Sequence, residues 1–311
     1  MLTRRQALLL AASAPIPRGP VRRISAWTTT SPLPGLKAAA EGNPARVIRI
    51  KSPSDDLIVL IVLDVTGDLT LVDAARQAAA AEIDKLPTNA YAGILRSQDG
   101  LRVLLDPSPD RPATIASLQN AAVSGRAGLL ETVEPAARLA TSILHKSSVR
   151  TALLYLTDSA IENYREDYTN PVINMSDARD LSRRFPDALI REKAANLATS
   201  LAETDAPLFI VQIAFLRDRL NEAYQTGLQQ IAEAAGGEAL LCRNLGDIPT
   251  SVEQAFTKIR AMWAIDLELP PGSPKNVTIQ LSSEATDLQY RTRLILGGPA
   301  KSKIKKEGKK E

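Results

Sequence analysis

The sequence predicts an α/β fold: a doubly wound, mainly parallel sheet with helices on both faces, followed by a small C-terminal antiparallel β unit. Three observations predict it. Apolar runs rich in Ile, Leu and Val recur at residues 57–64, 150–157 and 207–214, and such runs read as strands buried on both faces. Stretches of helical period separate them, an alternation that implies a parallel sheet wrapped by helices. Beyond Trp263 the texture changes to polar–apolar alternation in AIDLELP, NVTIQLS and LQYRTRLIL, the mark of antiparallel strands with one wet face.

Taken in order, residues 1–14 place Arg4-Arg5 before a short apolar stretch and an Ala12-Ser13-Ala14 cleavage pattern. That is the layout of a bacterial secretory signal with a twin-arginine-like start, and it predicts export to the periplasm or beyond. A plain cytoplasmic terminus is the alternative. Residues 15–46 are rich in proline, arginine and threonine and read as a linker, with an early strand at 47–50. The α/β domain is expected over 47–263, the β unit over 264–297 and a basic tail over 298–311. Within the domain an Ala-rich helix is expected at 71–86, then strands at 90–96 and 101–105 joined by Asp99-Gly100, a hairpin-type turn. Helices follow at 111–122 and 129–145, and a polar stretch at 177–204 is helical in period with a break at Pro186. Leu220, Ala223, Tyr224, Leu228, Ile231 and Ala235 mark one face of a helix closed by Gly236-Gly237. A short strand at 238–242 and a helix at 248–262 complete the domain.

Composition narrows the function. The chain has 311 residues, 44% hydrophobic and 23% charged, which are ordinary globular values. Its net charge of +3 hides an asymmetry: the tail 301–311 holds six lysines and two glutamates, contributing +4 and leaving −1 for the rest. No basic surface for nucleic acid follows, although the tail itself suits an anionic surface. A single cysteine, Cys242, excludes an internal disulfide and cysteine-based metal clusters. A single histidine, His145, leaves zinc and Ser-His-Asp chemistry without their parts. No stretch reaches the ~20 apolar residues of a membrane-spanning helix.

The most informative segment is LIVLIVLDVTGDLT at 57–70. A buried strand delivers Asp64 at its carboxyl end, followed at once by Thr66, Gly67 and Asp68 and then by a helix. Ligands of open α/β sheets bind at such strand ends. Asp64, Thr66 and Asp68 present the hard oxygens that Mg²⁺ and Ca²⁺ prefer.

This alternation, with Asp64-Val65-Thr66-Gly67-Asp68, resembles the von Willebrand factor type A (VWA) fold, and in particular its exported bacterial VWFA-related branch. The resemblance covers residues 47–296. It implies a non-enzymatic protein-binding module whose D-x-S-x-S motif forms a metal-ion-dependent adhesion site. Carried across, Asp64 is the first aspartate, Thr66 the first hydroxyl, and Asp68 stands in place of the second serine. Thr157-Asp158 resembles the family's T-D, making Asp158 the late acidic ligand. The second loop departs: 124–130 matches G-G-T-x-L, but Ala127 holds the threonine position and Arg126 sits beside it. Metal ligands implied by the resemblance are therefore Asp64, Thr66, Asp68 and Asp158, with Mg²⁺ or Ca²⁺ as the ion. The departures leave three readings open: a working site, a site filled by the Arg126 guanidinium, and a decayed site in which Asp68 merely caps the next helix.

A different chemistry competes. Residues 64–70, DVTGDLT, differ at two positions from the D-K-T-G-T-L-T phosphorylation loop of the haloacid dehalogenase superfamily, in which a strand-end aspartate attacks a phosphoryl group with Mg²⁺. Only Leu245-Gly246-Asp247 hints at that superfamily's second acidic motif. A purely structural accessory protein is the third reading. Tyr164, Tyr168 and Asn170 lie in a long polar loop suited to a partner, Trp263 is expected as a core anchor, and the Asn276-Val277-Thr278 sequon is expected to lie in a strand.

Overall fold

A computed structural model describes residues 19–30, 33–164, 187–214, 219–285 and 287–297. The signal-like terminus, Tyr168, Asn170, Pro186 and the basic tail lie outside the described residues. Two sheets are present. The larger body is built on a six-stranded sheet of β4 (Leu57–Asp64), β5 (Ala90–Arg96), β6 (Arg102–Ser108), β7 (Arg150–Thr157), β8 (Leu208–Gln212) and β9 (Glu238–Leu241), in the order β6-β5-β4-β7-β8-β9. All neighbours run parallel except β6, which returns antiparallel along β5. The return uses Asp99 and Gly100 at φ 53° and 105°, the positive values that an Asp-Gly hairpin supplies.

Helices α1 (Leu69–Asp84), α2 (Arg111–Asn120), α3 (Leu129–Ser147), α4 (Asp187–Leu201), α5 (Arg219–Ala234) and α6 (Asp247–Ala261) cover both faces. The two-residue period of a strand decides which residue meets which helix. Leu57, Val59, Ile61 and Leu63 of β4 join the core made with α1, α2 and α6, through Val72, Ile83, Leu118, Val252 and Phe256. Ile58, Leu60 and Val62 join the core on the other face, with Val133 of α3, Ala194 of α4 and Leu228 of α5. Every residue of β4 and β7 is buried, which is why both read as unbroken apolar runs.

The second sheet corrects the expected organisation at the amino-terminal end. Residues expected as a linker contain β1 (Val21–Trp27) and β2 (Lys37–Ala40), and β3 (Asn43–Lys51) begins ahead of the early strand expected at 47–50. They pair with β10 (Trp263–Glu268), β11 (Asn276–Ser282), β12 (Gln289–Tyr290) and β13 (Arg293–Ile295) in the order β12-β1-β10-β3-β2-β11-β13. The antiparallel unit is therefore made from both ends of the chain, with β10 held between β1 and β3. β12 and β13 stand at opposite ends of the strand order although only Arg291 and Thr292 separate them, so the sheet rolls back on itself. The Ile279 N–H donates to the Thr292 carbonyl (2.7 Å) and the Leu281 N–H to the Tyr290 hydroxyl (2.9 Å) across that closure. Its interior holds Ile24, Trp263, Ile265, Leu267, Val277, Ile279 and Leu294. Trp263 is a core residue, as expected, and the Asn276 sequon lies in β11.

The strand β1, VRRISAW, lacks polar–apolar alternation because Arg22 and Arg23 are buried as ion pairs. Arg22 Nε meets Asp205 Oδ1 at 2.6 Å, and Arg23 makes a two-pronged bridge to Asp266 at 2.6 and 2.9 Å. Arg22 and Arg291 also donate to the Ile295 and Thr204 carbonyls, tying β1 and the β12–β13 link to the turn before β8.

Candidate functional site

The strand order reverses direction at β4: the chain moves from β4 to β5 on one side and later to β7 on the other. Such switch points open a crevice beyond the carboxyl ends of the strands. Asp64 ends β4, and it lies opposite Thr157, the last residue of β7, in parallel register. The Asp158 N–H donates to the Asp64 carbonyl at 3.1 Å, so the two strand ends stay joined past the sheet. Two acids 94 positions apart in sequence thus come to one edge.

Asp64 is fully buried, and both carboxylate oxygens are engaged. Oδ1 accepts from Ser97 Oγ (2.6 Å) and from the Gly128 N–H (2.8 Å), and Oδ2 accepts from Thr157 Oγ1 (2.8 Å). Burial pushes the Asp64 carboxyl up, while these donors pull in the opposite direction. Each hydroxyl has one proton, so Ser97 and Thr157, having donated to Asp64, accept from elsewhere. Thr132 Oγ1 stands 2.9 Å from Ser97 Oγ, and Tyr155 Oη is 3.2 Å beyond it. Ser159 Oγ stands 2.6 Å from Thr157 Oγ1, with the Tyr224 hydroxyl bonded in turn. The single Thr132 proton has the Gly128 carbonyl as a second acceptor at 2.8 Å, so the Ser97 side is a hydroxyl cluster, whereas Thr157, Ser159 and Tyr224 form one hydroxyl chain to the carboxylate.

Asp158 is organised differently. Its Oδ2 accepts the N–H groups of Thr66 (2.8 Å) and Gly67, while Oδ1 is buried without a partner. Burial raises its carboxyl, opposed by the Gly67 and Thr66 amides. A Cβ on Gly67 would stand 2.9 Å from Asp158 Oδ2, so glycine allows the β4–α1 loop to close over that carboxylate. Asp68 is exposed and accepts from the Thr70 N–H at 2.7 Å, capping α1. Thr66 is half-buried beside it. Arg126 turns away from the acids: its guanidinium donates to the Asn163 carbonyl, and its N–H donates to Asp99 Oδ1 at 3.0 Å. The guanidinium-filled reading is therefore overturned for the described geometry. Ala127 is buried and brings no oxygen side chain.

The donor set tests poorly against a hard cation. Among the described residues no group of three or more histidine, cysteine or acidic side chains is gathered to hold a metal ion. The N–H groups of Thr66, Gly67 and Gly128 and the hydroxyls of Ser97 and Thr157 turn their hydrogens toward the two carboxylates. Those hydrogens carry the positive charge that a cation would otherwise bring, and an ion needs oxygen lone pairs instead. Among the described residues Asp158 Oδ1 and Gln212 Oε1, at the end of β8, are the buried side-chain oxygens left without a donor.

Sequence reasoning missed Ser97, Gly128, Thr132, Ser159, Tyr155 and Tyr224. Ser97 had a legible signal, a hydroxyl directly after a buried strand beside β4. The tyrosines had none, because their rings read simply as core. The tyrosine expected at the loop, Tyr164, is buried and accepts the Leu130 N–H at 3.0 Å, with its ring 5.7 Å from that of Tyr224. Cys242 is buried, and burial raises its thiol. His145 Nε2 lies 3.1 Å from Asp205 Oδ2.

No protein-family profile matches the chain, and no curated protein matches it. Solved structures do. The PilB minor pilin from Streptococcus sanguinis is 14% identical, with a TM-score of 0.50 over 67% of this chain and 62% of the pilin. A von Willebrand factor type A structure from Catenulispora acidiphila is 12% identical, with a TM-score of 0.44 over 92% of this chain and 76% of its own. The conserved hypothetical protein BatB from Bacteroides thetaiotaomicron is 14% identical, with a TM-score of 0.41 over 66% of this chain and 98% of its own. These likenesses concern fold alone. The strand order, the antiparallel edge strand and the aspartates at adjoining ends of β4 and β7 are consistent with the VWA-like fold expected from the sequence.

Proposed function

We propose that this chain is a protein-binding module of the adhesion type, and that its partner docks on the loops at the carboxyl edge of the six-stranded sheet. The observation that carries this reading is that Asp64 and Asp158 stand at the adjoining ends of β4 and β7, with Thr66 and Asp68 on the loop that follows β4. Loops held by a rigid sheet are where binding residues accumulate in such folds. Leu69, 61% exposed at the first turn of α1, and Leu245, 46% exposed on the β9–α6 loop, add apolar surface at the same edge. We read the adhesion site as degenerate, with Ala127 for the usual hydroxyl, Asp68 for a serine, and Asp64, Thr66, Asp68 and Asp158 shaping the rim. The amino-terminal signal pattern supports work outside the cytoplasmic membrane, and the lysine-rich tail suits an anionic surface. Among the described residues no helix is long and apolar enough to cross a membrane.

Phosphotransfer by Asp64 is the weaker reading. A nucleophilic carboxylate must reach substrate, and this one is fully buried with both oxygens bonded. The docking reading is tested by placing a photo-crosslinking residue at position 69, at 245, and at 91, at the amino end of β5, in cells exporting the full chain. Adducts to a common protein from 69 and 245 but not from 91 are expected. Adducts confined to 91 would move the binding face elsewhere.

A further inference from the structure

We propose that in this chain Asp64 and its donors replace a cation, joining two loops to the ends of β4 and β7 in a rim that is preassembled without metal. The proposal takes the rim from the docking reading, but it is tested on the chain alone, so the two fail separately.

The three bonds to Asp64 come from two loops and the end of a third segment, β7. Ser97 follows β5, Gly128 precedes α3, and Thr157 closes β7. A metal ion at a strand edge achieves the same thing by drawing ligands from several loops to one point. Here the roles are inverted: one central anion draws neutral donors around it. Burial makes this strong, because a hydrogen bond to a carboxylate gains in a low dielectric and an unpaired carboxylate there would be costly. The surrounding hydroxyls anchor the hub further, to α3 through Thr132, which donates to the Gly128 carbonyl at 2.8 Å, and to α5 through Ser159 and Tyr224. Asp158 repeats the principle at the rim, accepting two amides of the β4–α1 loop on one oxygen.

The inversion also accounts for the departures in the motif. With the centre already negative and saturated, a hydroxyl at 127 has nothing to coordinate, and a buried alanine fits there. Asp68 is released from the centre and caps α1. Asp64 is thus a positioning residue: it sets where the loops stand and touches no partner itself.

Thermal unfolding of the full chain, first in EDTA and then with Mg²⁺, Mn²⁺ or Ca²⁺, tests the proposal directly. An ion bound to the folded state raises the melting temperature by mass action. No rise with any of the three is expected. A saturable rise that disappears in Asp158→Asn would overturn the proposal. A rise that survives both Asp158→Asn and Asp64→Asn lies away from this rim and leaves the hub standing. A second measurement addresses the hub itself: Ser97→Ala, Asp64→Asn and the double variant. Residues sharing one bond lower the melting temperature together by clearly less than the sum of their separate effects. Strict additivity would sink the hub.

Discussion

Asp64 draws its importance from what would be stranded without it. Asp64→Ala removes the acceptor shared by Ser97, Gly128 and Thr157, leaving buried donors unpaired, at a cost of about 3 kcal/mol or more. Asp64→Asn keeps one acceptor oxygen but turns an NH₂ toward a donor, so its cost should fall between the two; urea unfolding of both variants orders them. At Gly67, Ala would push a methyl against Asp158 Oδ2, and a loss of about 1 kcal/mol is expected by the same measurement. The lone histidine offers a pH readout. Burial pushes Asp205 up, but His145 and Arg22 outweigh it and hold the carboxyl low; His145 is in turn raised, first by its hydrogen bond to Asp205. The depressed Asp205 adds stability that is present above the ordinary carboxylate range and lost as pH falls through its folded value. The raised His145 adds stability that is present below about 6.5 and lost as pH rises through its folded value. Because the imidazole is more than half exposed, its share is under about 1 kcal/mol. His145→Gln should flatten the decline in melting temperature on the alkaline side of neutrality and leave the acid limb in place.

Among the elements, the junction between the two sheets rests on buried arginines. Arg150 opens β7 with no exposed surface, and its guanidinium donates to the carbonyls of Pro53 (2.7 Å), Asp55 (2.5 Å), Arg260 (3.2 Å) and Met262 (3.0 Å). It thereby joins the β3–β4 turn to the α6–β10 connection, and burial lowers its guanidinium to about 10. A lysine has three donors on one nitrogen and cannot span that fan of acceptors, so Arg150→Lys should cost about 2–3 kcal/mol in denaturant unfolding. Asp205→Asn leaves Arg22 and the neighbouring Arg291 buried without a counter-charge, and a loss of about 3–5 kcal/mol is expected there. These same arginines explain which elements were legible. β4, β7 and β8 announce themselves as apolar runs because helices cover both faces. β1 does not, because its two arginines are buried by partners at positions 205 and 266, and no local pattern reveals a partner so far along the chain.

For the molecule as a whole, the antiparallel sheet closes the chain on itself, and this makes its amino-terminal strands indispensable. A chain beginning at residue 52 would strip β10 of β1 and β3 together and expose Ile265 and Leu267. Such a chain is expected to be insoluble or to lack a cooperative thermal transition, whereas removal of a linker would leave unfolding unchanged; circular dichroism distinguishes them. The α/β body, its alternating elements and the strand-end position of Asp64 follow from local rules: the two-residue period of strands, the helical period between them, and the turn chemistry of Asp99-Gly100. Those rules act over a few residues and can be read from the text. Three things needed the folded chain: the pairing of strands from 21–51 with strands from 263–295 in one rolled sheet, the burial of arginines as ion pairs, and the direction in which the acids at the sheet edge face. Each depends on contacts between residues from 64 to 247 positions apart, where the energy of a side chain is set by partners that its own neighbourhood does not name.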